Sequence, residues 1–151
     1  MKMIRFREMC DGDQAAVIGL MEQFYHSNAV STNGSARIFA RDFAACLSDS
    51  PFLRGYVFEQ QNEVVGYAML AFSFCTEFGK PCVWIEDIYL RENARGKGAA
   101  STFIGAVKVR YPDHVLRLEV EHDNTVATRV YQAQQFRFLP YAEMIAQTGE
   151  A

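Results

Sequence analysis

The chain lacks any run of about 18 apolar residues, the length a membrane-spanning helix needs; its best stretch, Val64 to Phe72, is short and contains Gly66. No Cys-x-x-Cys pair occurs: Cys10, Cys46, Cys75 and Cys82 are scattered, and His26, His114 and His122 stand at no metal-ligand spacing. A zinc cluster and a disulfide framework are both disfavoured, so the thiols read as reduced core residues and no metal is expected. Basic charge is not in excess either. Fifteen Lys and Arg face 18 Asp and Glu, for a net charge of −3, which argues against nucleic acid as a partner. No repeat, low-complexity tract or Pro/Gly/Ser linker divides the sequence. Arg5, Arg7 and Glu8 stand where a secretory leader would carry its apolar region, so the expectation is a cytoplasmic protein without membrane contact.

What is present suffices for a core. Half of the 151 residues are hydrophobic, with 12 Phe and 7 Tyr, which excludes a disordered chain. The length suits one domain over residues 1–151. Ile4 to Met9 alternates apolar and polar side chains as a half-buried strand does. Asp11 or Asp13 can cap a helix whose face is Val17, Leu20, Met21 and Phe24. After a polar stretch from Ser27 to Ser35, a second helix presents Ala36, Phe39, Ala40, Phe43 and Leu47, and Ser50-Pro51 ends it.

Strands are expected over Arg54 to Glu59 and Glu63 to Cys75, flanking the turn Gln60-Gln61-Asn62, and over Cys82 to Leu90 after a turn at Gly79 and Pro81. A third helix starts near Gly98 with Ala100, Phe103, Ile104, Val107 and Tyr111 on one stripe, and Pro112 stops it. Val115 to Val120 reads as a strand, Asn124 opens a fourth helix to about Gln134, and Phe138 to Ile145 reads as a last strand. The order β-α-α-β-β-β-α-β-α-β describes an α/β fold with one central mixed sheet flanked by helices.

The most informative stretch runs from the strand Trp84 to Leu90 through Arg91-Glu92-Asn93-Ala94 to Arg95-Gly96-Lys97-Gly98-Ala99-Ala100, a glycine turn between a strand and a helix. Glycines permit positive φ and close approach of the backbone to a ligand. The first N–H groups of the helix then point into one concavity where the dipole favours an anion, which is physically a pyrophosphate cradle. Such a turn is also often only a turn. Neither a Walker loop nor a Gly-x-Gly-x-x-Gly fingerprint is present.

These residues match the Arg/Gln-x-x-Gly-x-Gly/Ala pattern of the GNAT superfamily of acyl-CoA-dependent N-acetyltransferases, which the chain resembles over essentially its whole length. Asn124, Ala127, Tyr131 and Phe136 reproduce a second pattern of that family, with Gln135 where the family carries glycine. Gly66-Tyr67-Ala68-Met69, Gly79-Lys80 and Glu86-Asp87 more loosely resemble the diamine (polyamine) N-acetyltransferases.

The resemblance implies acetyl-CoA as co-substrate and direct attack by a primary amine in a ternary complex, in a homodimer. It implies that Ile88, Tyr89 and Leu90 contact the pantetheine arm through main-chain atoms. Gly96, Lys97, Gly98, Ala99, Ala100 and Ser101 would hold the pyrophosphate, with Arg95 adding positive charge. Asn124 and Ala127 would lie against the CoA arm, although Asn124 also reads as a helix cap. Tyr131 matches the general acid and Glu86 the base, with Asp87 as the alternate because a strand bulge can exchange which neighbour faces the site. Glu119 and Glu121, with Glu86 and Asp87, can make an acidic pocket that attracts a cationic amine, and solvated strand ends explain them equally well. Packing on the helix face is the alternative reading of Tyr131, and a surface or salt-bridged carboxylate that of Glu86. The acceptor class implied is a polyamine or another small amine. A protein N-terminus or lysine, or a non-catalytic acyl-CoA sensor, are the alternatives.

Overall fold

The structure, a computed structural model, describes residues 2–30 and 34–149. The first strand, β1 (Arg5–Glu8), is followed by a 3-10 turn and helix α1 (Gln14–Tyr25). Helix α2 (Ala36–Leu47) comes next, and part of the polar stretch before it, residues 31–33, lies outside the described residues. Strands β2 (Leu53–Gln60), β3 (Glu63–Cys75) and β4 (Lys80–Leu90) form an antiparallel meander. Helix α3 (Ala99–Arg110) then crosses over to β5 (Val115–Leu118), which lies parallel to β4, and α4 (Thr125–Ala133) follows. The sheet runs β1-β2-β3-β4-β5. The expected α/β fold with one mixed sheet is the observed one.

Each face of the sheet buries a helical stripe. On one face, Val17, Leu20 and Met21 of α1 and Phe39 and Phe43 of α2 meet Val57, Tyr67 and Met69 of the sheet. On the other, Phe103, Ile104 and Val107 of α3 meet Phe58, Ala68, Leu70, Val83 and Ile85. The i, i+3, i+4 spacing of both stripes is what places these side chains on one side of each helix. Gln61 and Asn62, at φ 53° and 65°, supply the two left-handed residues of a tight hairpin turn between β2 and β3. Arg7 donates to both Asp13 oxygens, at 2.8 and 2.9 Å, and ties β1 to the start of α1.

One expected element is absent. Phe138 to Ile145 forms no strand: residues 135–149 are irregular, and Phe138, Tyr141, Met144 and Ile145 are exposed. A strand needs a neighbour to bond to, β5 is only four residues long, and Pro140 has no N–H to donate. For the same reason β5 ends at Leu118 rather than Val120.

Candidate active site

The site is built where β4 stops pairing with β5. Their parallel register runs from Cys82 opposite Val115 to Ile85 opposite Leu118 and ends there. Beyond it, residues 86–90 remain bonded to β3, with Ile88 opposite Ala68, Tyr89 opposite Tyr67 and Leu90 opposite Gly66. Their other edge has no strand partner among the described residues.

A bulge coincides with this divergence. Leu70 of β3 faces Ile85 and the preceding residue, Met69, faces Asp87, so Glu86 is the extra residue. The insertion reverses the alternation of β4. Val83 and Ile85 pack with α3, whereas Asp87 bonds to Tyr67 and Tyr25 on the α1 and α2 face. Glu86 is left at the mouth of a cleft of about 1370 Å³ between β4, β5, α4 and the C-terminal segment.

The cleft walls carry Trp84, Glu86, Glu119, Tyr131 and Glu143. Solvent reaches the Glu86 side chain, but the surrounding walls exclude water from one side of it. That partial burial, reinforced by the charges of Asp87, Glu143 and Asp42, raises its pKa. Partial burial and the neighbouring Glu143 push Glu119 up to about 7. Burial, then the Asp87 charge, takes Asp42 of α2 up to about 6. Asp87 itself is 7% exposed, and its pKa is raised by burial against the lowering effect of its Tyr67 and Tyr25 hydrogen bonds. Burial pushes the Tyr131 phenol up to about 12, so it stays protonated throughout the neutral range.

At the far end of the unpaired β4 edge lies the glycine turn. Gly96 and Gly98 take φ of 72° and 77°, and a Cβ at either would meet nothing within 4 Å. The first bond of α3 runs from the Thr102 N–H to the Gly98 carbonyl. The N–H groups of Ala99, Ala100 and Ser101 thus precede the helical ladder and face outwards at the positive end of the helix dipole. Arg95 donates to the Leu90 carbonyl at 2.8 Å and lies 5.4 Å over the Tyr89 ring, and Lys97 donates to the Asn93 carbonyl at 2.9 Å. The turn therefore has open space beside N–H groups that lie outside the helical ladder, with two basic residues next to it.

Asn124 caps α4, its side chain accepting from the Ala127 N–H at 3.2 Å. Tyr131 packs edge-on to Phe136 at 6.0 Å, and Lys108 of α3 donates to the Gln134 carbonyl, holding the end of α4. Gln135, standing where the resembled pattern has glycine, takes φ 71°. A side chain there is strained by about 1–2 kcal/mol. Gln135→Gly is expected to stabilise the fold by about 1 kcal/mol, after the entropy that glycine adds to the unfolded chain. A urea unfolding curve measures it, and an unchanged midpoint would mean that contacts of the glutamine side chain offset the strain.

Residues 20–136 match the model of the acetyltransferase (GNAT) family. The chain belongs to that family. No curated protein matches the sequence. Among solved structures, a possible acetyltransferase from Clostridium difficile 630 superposes with TM-score 0.80 at 18% identity, covering 97% of this chain and 99% of the other. An aminoglycoside N-acetyltransferase in complex with CoA gives 0.79 at 17% identity, over 97% and 96% of the two chains. A predicted acetyltransferase with acetyl-CoA from Clostridium acetobutylicum gives 0.75 at 18%, over 95% and 96%. At these identities the likeness is one of fold.

The geometry brings Glu86, Asp87, Glu119, Glu121 and Tyr131 to one cleft, with Ile88 to Leu90 leading from it to the glycine turn. Tyr25, Asp42 and Glu143 join this site from α1, α2 and the C-terminal segment without having been singled out by sequence. Their spacing carries no local signal, because each arrives by a separate element.

Proposed function

We propose that the chain, as one catalytic domain over residues 1–151, transfers an acetyl group from acetyl-CoA to a primary amine by direct attack in a ternary complex. The observation that carries this is the unpaired edge of β4. It runs from a carboxylate-lined cleft to a glycine-rich helix N-terminus that has room for an anion. The open N–H groups of Gly98 to Ser101 fit a pyrophosphate, with Gly96 and Lys97 in the turn and Arg95 adding charge. Main-chain groups of Ile88, Tyr89 and Leu90 suit an extended pantetheine arm, and Asn124 and Ala127 flank it.

Bound acetyl-CoA supplies the acetyl group as an activated thioester. Glu86 accepts the proton that an alkylammonium must lose before its nitrogen can attack, directly or through one water. Its raised pKa strengthens it as a base. Tyr131 keeps its proton at neutral pH and delivers it to the departing sulfur. Walls bearing Glu86, Glu119 and Glu143 favour a cationic acceptor, so a polyamine or another small polybasic amine is the acceptor class. A homodimer is the working assembly we infer, supported by the exposed apolar side chains of the C-terminal segment.

Thiol release from acetyl-CoA against spermidine, neamine, amino acids and peptide N-termini tests the reading, and turnover with the small polybasic amines is expected. CoA binding without thiol release for any amine would leave a CoA sensor instead. The cradle has its own test. Gly98→Asp places a negative side chain beside the α3 N-terminus; it clashes with nothing, but at φ 77° it costs about 1–2 kcal/mol of backbone strain. CoA affinity is expected to fall at least about tenfold in the variant that still folds. Unchanged affinity by calorimetry in the folded variant would remove the cradle.

A further inference from the structure

Asp87 is a buried carboxylate with no cation: the ion pairs among the described residues do not include it. Its two oxygens instead accept from two phenols. The Tyr67 hydroxyl of β3 donates to Oδ2 at 2.7 Å and the Tyr25 hydroxyl, at the last residue of α1, donates to Oδ1 at 3.2 Å. Two donors on separate oxygens suit the ionised form. Such an arrangement costs stability compared with an apolar side chain of similar size, which points to a task other than holding the core.

The place of Asp87 indicates that task. It is the residue immediately after the bulged Glu86, where β4 changes parity. Turning Asp87 back to the α3 side would move Glu86 off the cleft mouth, and the two phenols oppose that turn. The Tyr25 ring lies tilted against Phe24 at 5.5 Å, and Phe24 is stacked on Tyr89 at 5.3 Å, so the clamp also fixes the end of α1 as a cleft wall. We propose that Asp87, held by Tyr67 and Tyr25, is a positioning residue that locks the β4 bulge and thereby aims Glu86 at the acceptor amine. This rests on Glu86 acting as the base. The charged groups facing Glu86 are Asp87 on its own strand, Asp42 of α2, Glu119 after β5 and Glu143 of the C-terminal segment.

A double-mutant cycle on kcat, with spermidine or neamine as acceptor, whichever turns over faster, tests the clamp. Tyr25→Phe keeps the half-buried ring and removes one donor, and is expected to lower kcat several-fold in the wild type but by almost nothing in Glu86→Gln. Asp87→Asn should show the same non-additivity and also move the acid limb of kcat/KM down by roughly half a unit to one unit, because a negative neighbour of Glu86 is gone. Equal losses in both backgrounds, or an unmoved acid limb, would mean that the clamp only supports the fold. Where Asp87→Asn does not fold, Tyr25→Phe carries the cycle alone. A Glu86→Gln enzyme with full activity would overturn the base assignment itself, and the clamp with it; a slow Glu86→Gln enzyme with additive losses would overturn the clamp alone.

Discussion

Tyr131→Phe is expected to lower kcat by roughly 10²–10⁴-fold while CoA affinity stays close to that of the wild type, the range typical for a positioned proton donor. The substitution keeps the ring, so the edge-on contact with Phe136 at 6.0 Å and the end of α4 survive. It removes only a phenol that burial has pushed up to about 12. A group with that pKa is a full donor from pH 6 to 9, so the loss should be uniform across that range. Steady-state kcat together with calorimetry for CoA measures both parts. A wild-type kcat, with chemistry shown to limit turnover, would leave Tyr131 as packing.

Glu86→Gln should produce a loss of similar size, but one that depends on pH and on the acceptor. The sign follows from two titrations. The Glu86 pKa lies above that of an ordinary carboxylate, so wild-type activity appears only as pH rises through that raised value. The variant must wait for free amine instead. An alkylamine of pKa about 10 gains free base roughly tenfold per pH unit below its pKa. The deficit of the variant is therefore largest near pH 6 to 7 and shrinks towards pH 9. A weakly basic aromatic amine, already neutral at pH 7, should lose much less. Profiles of kcat/KM on both acceptor types from about pH 6 to 9 decide it. Equal, pH-independent losses would assign Glu86 a shaping role and pass the proton to Asp87 or to a water chain reaching Glu119 or Glu121.

Both experiments probe residues that were legible for different reasons. Tyr131 and the Gly96 to Ser101 turn lie within short motifs whose spacing is set by a single helix or turn; Tyr131 lines the cleft with Glu86, and the turn follows β4 in the chain. Glu86 was legible as half of a pair. Regular alternation predicts that neighbours such as Glu86 and Asp87 face opposite sides, but it cannot say which side each takes, because one inserted residue reverses the answer. The register slip at Met69 and Leu70 settles it, leaving Glu86 at the cleft and Asp87 buried under Tyr67 and Tyr25.

The sequence by itself determined the helices α1 to α4, the antiparallel meander, the crossover to β5 and the glycine turn before α3, because each depends on periodicity or turn chemistry within some twenty residues. At Gln135 the sequence showed only a departure from the glycine of the resembled pattern, and the structure places it at φ 71°. Only the tertiary structure decided that Phe138 to Ile145 does not become a strand, since pairing needs a free partner edge and β5 supplies only four residues. It alone also partly buried Glu86 and brought Glu143 and Asp42 near it, which together with the adjacent Asp87 raised the pKa of that carboxylate. Proximity between elements tens of residues apart leaves no period in the sequence, whereas burial and charge act through space.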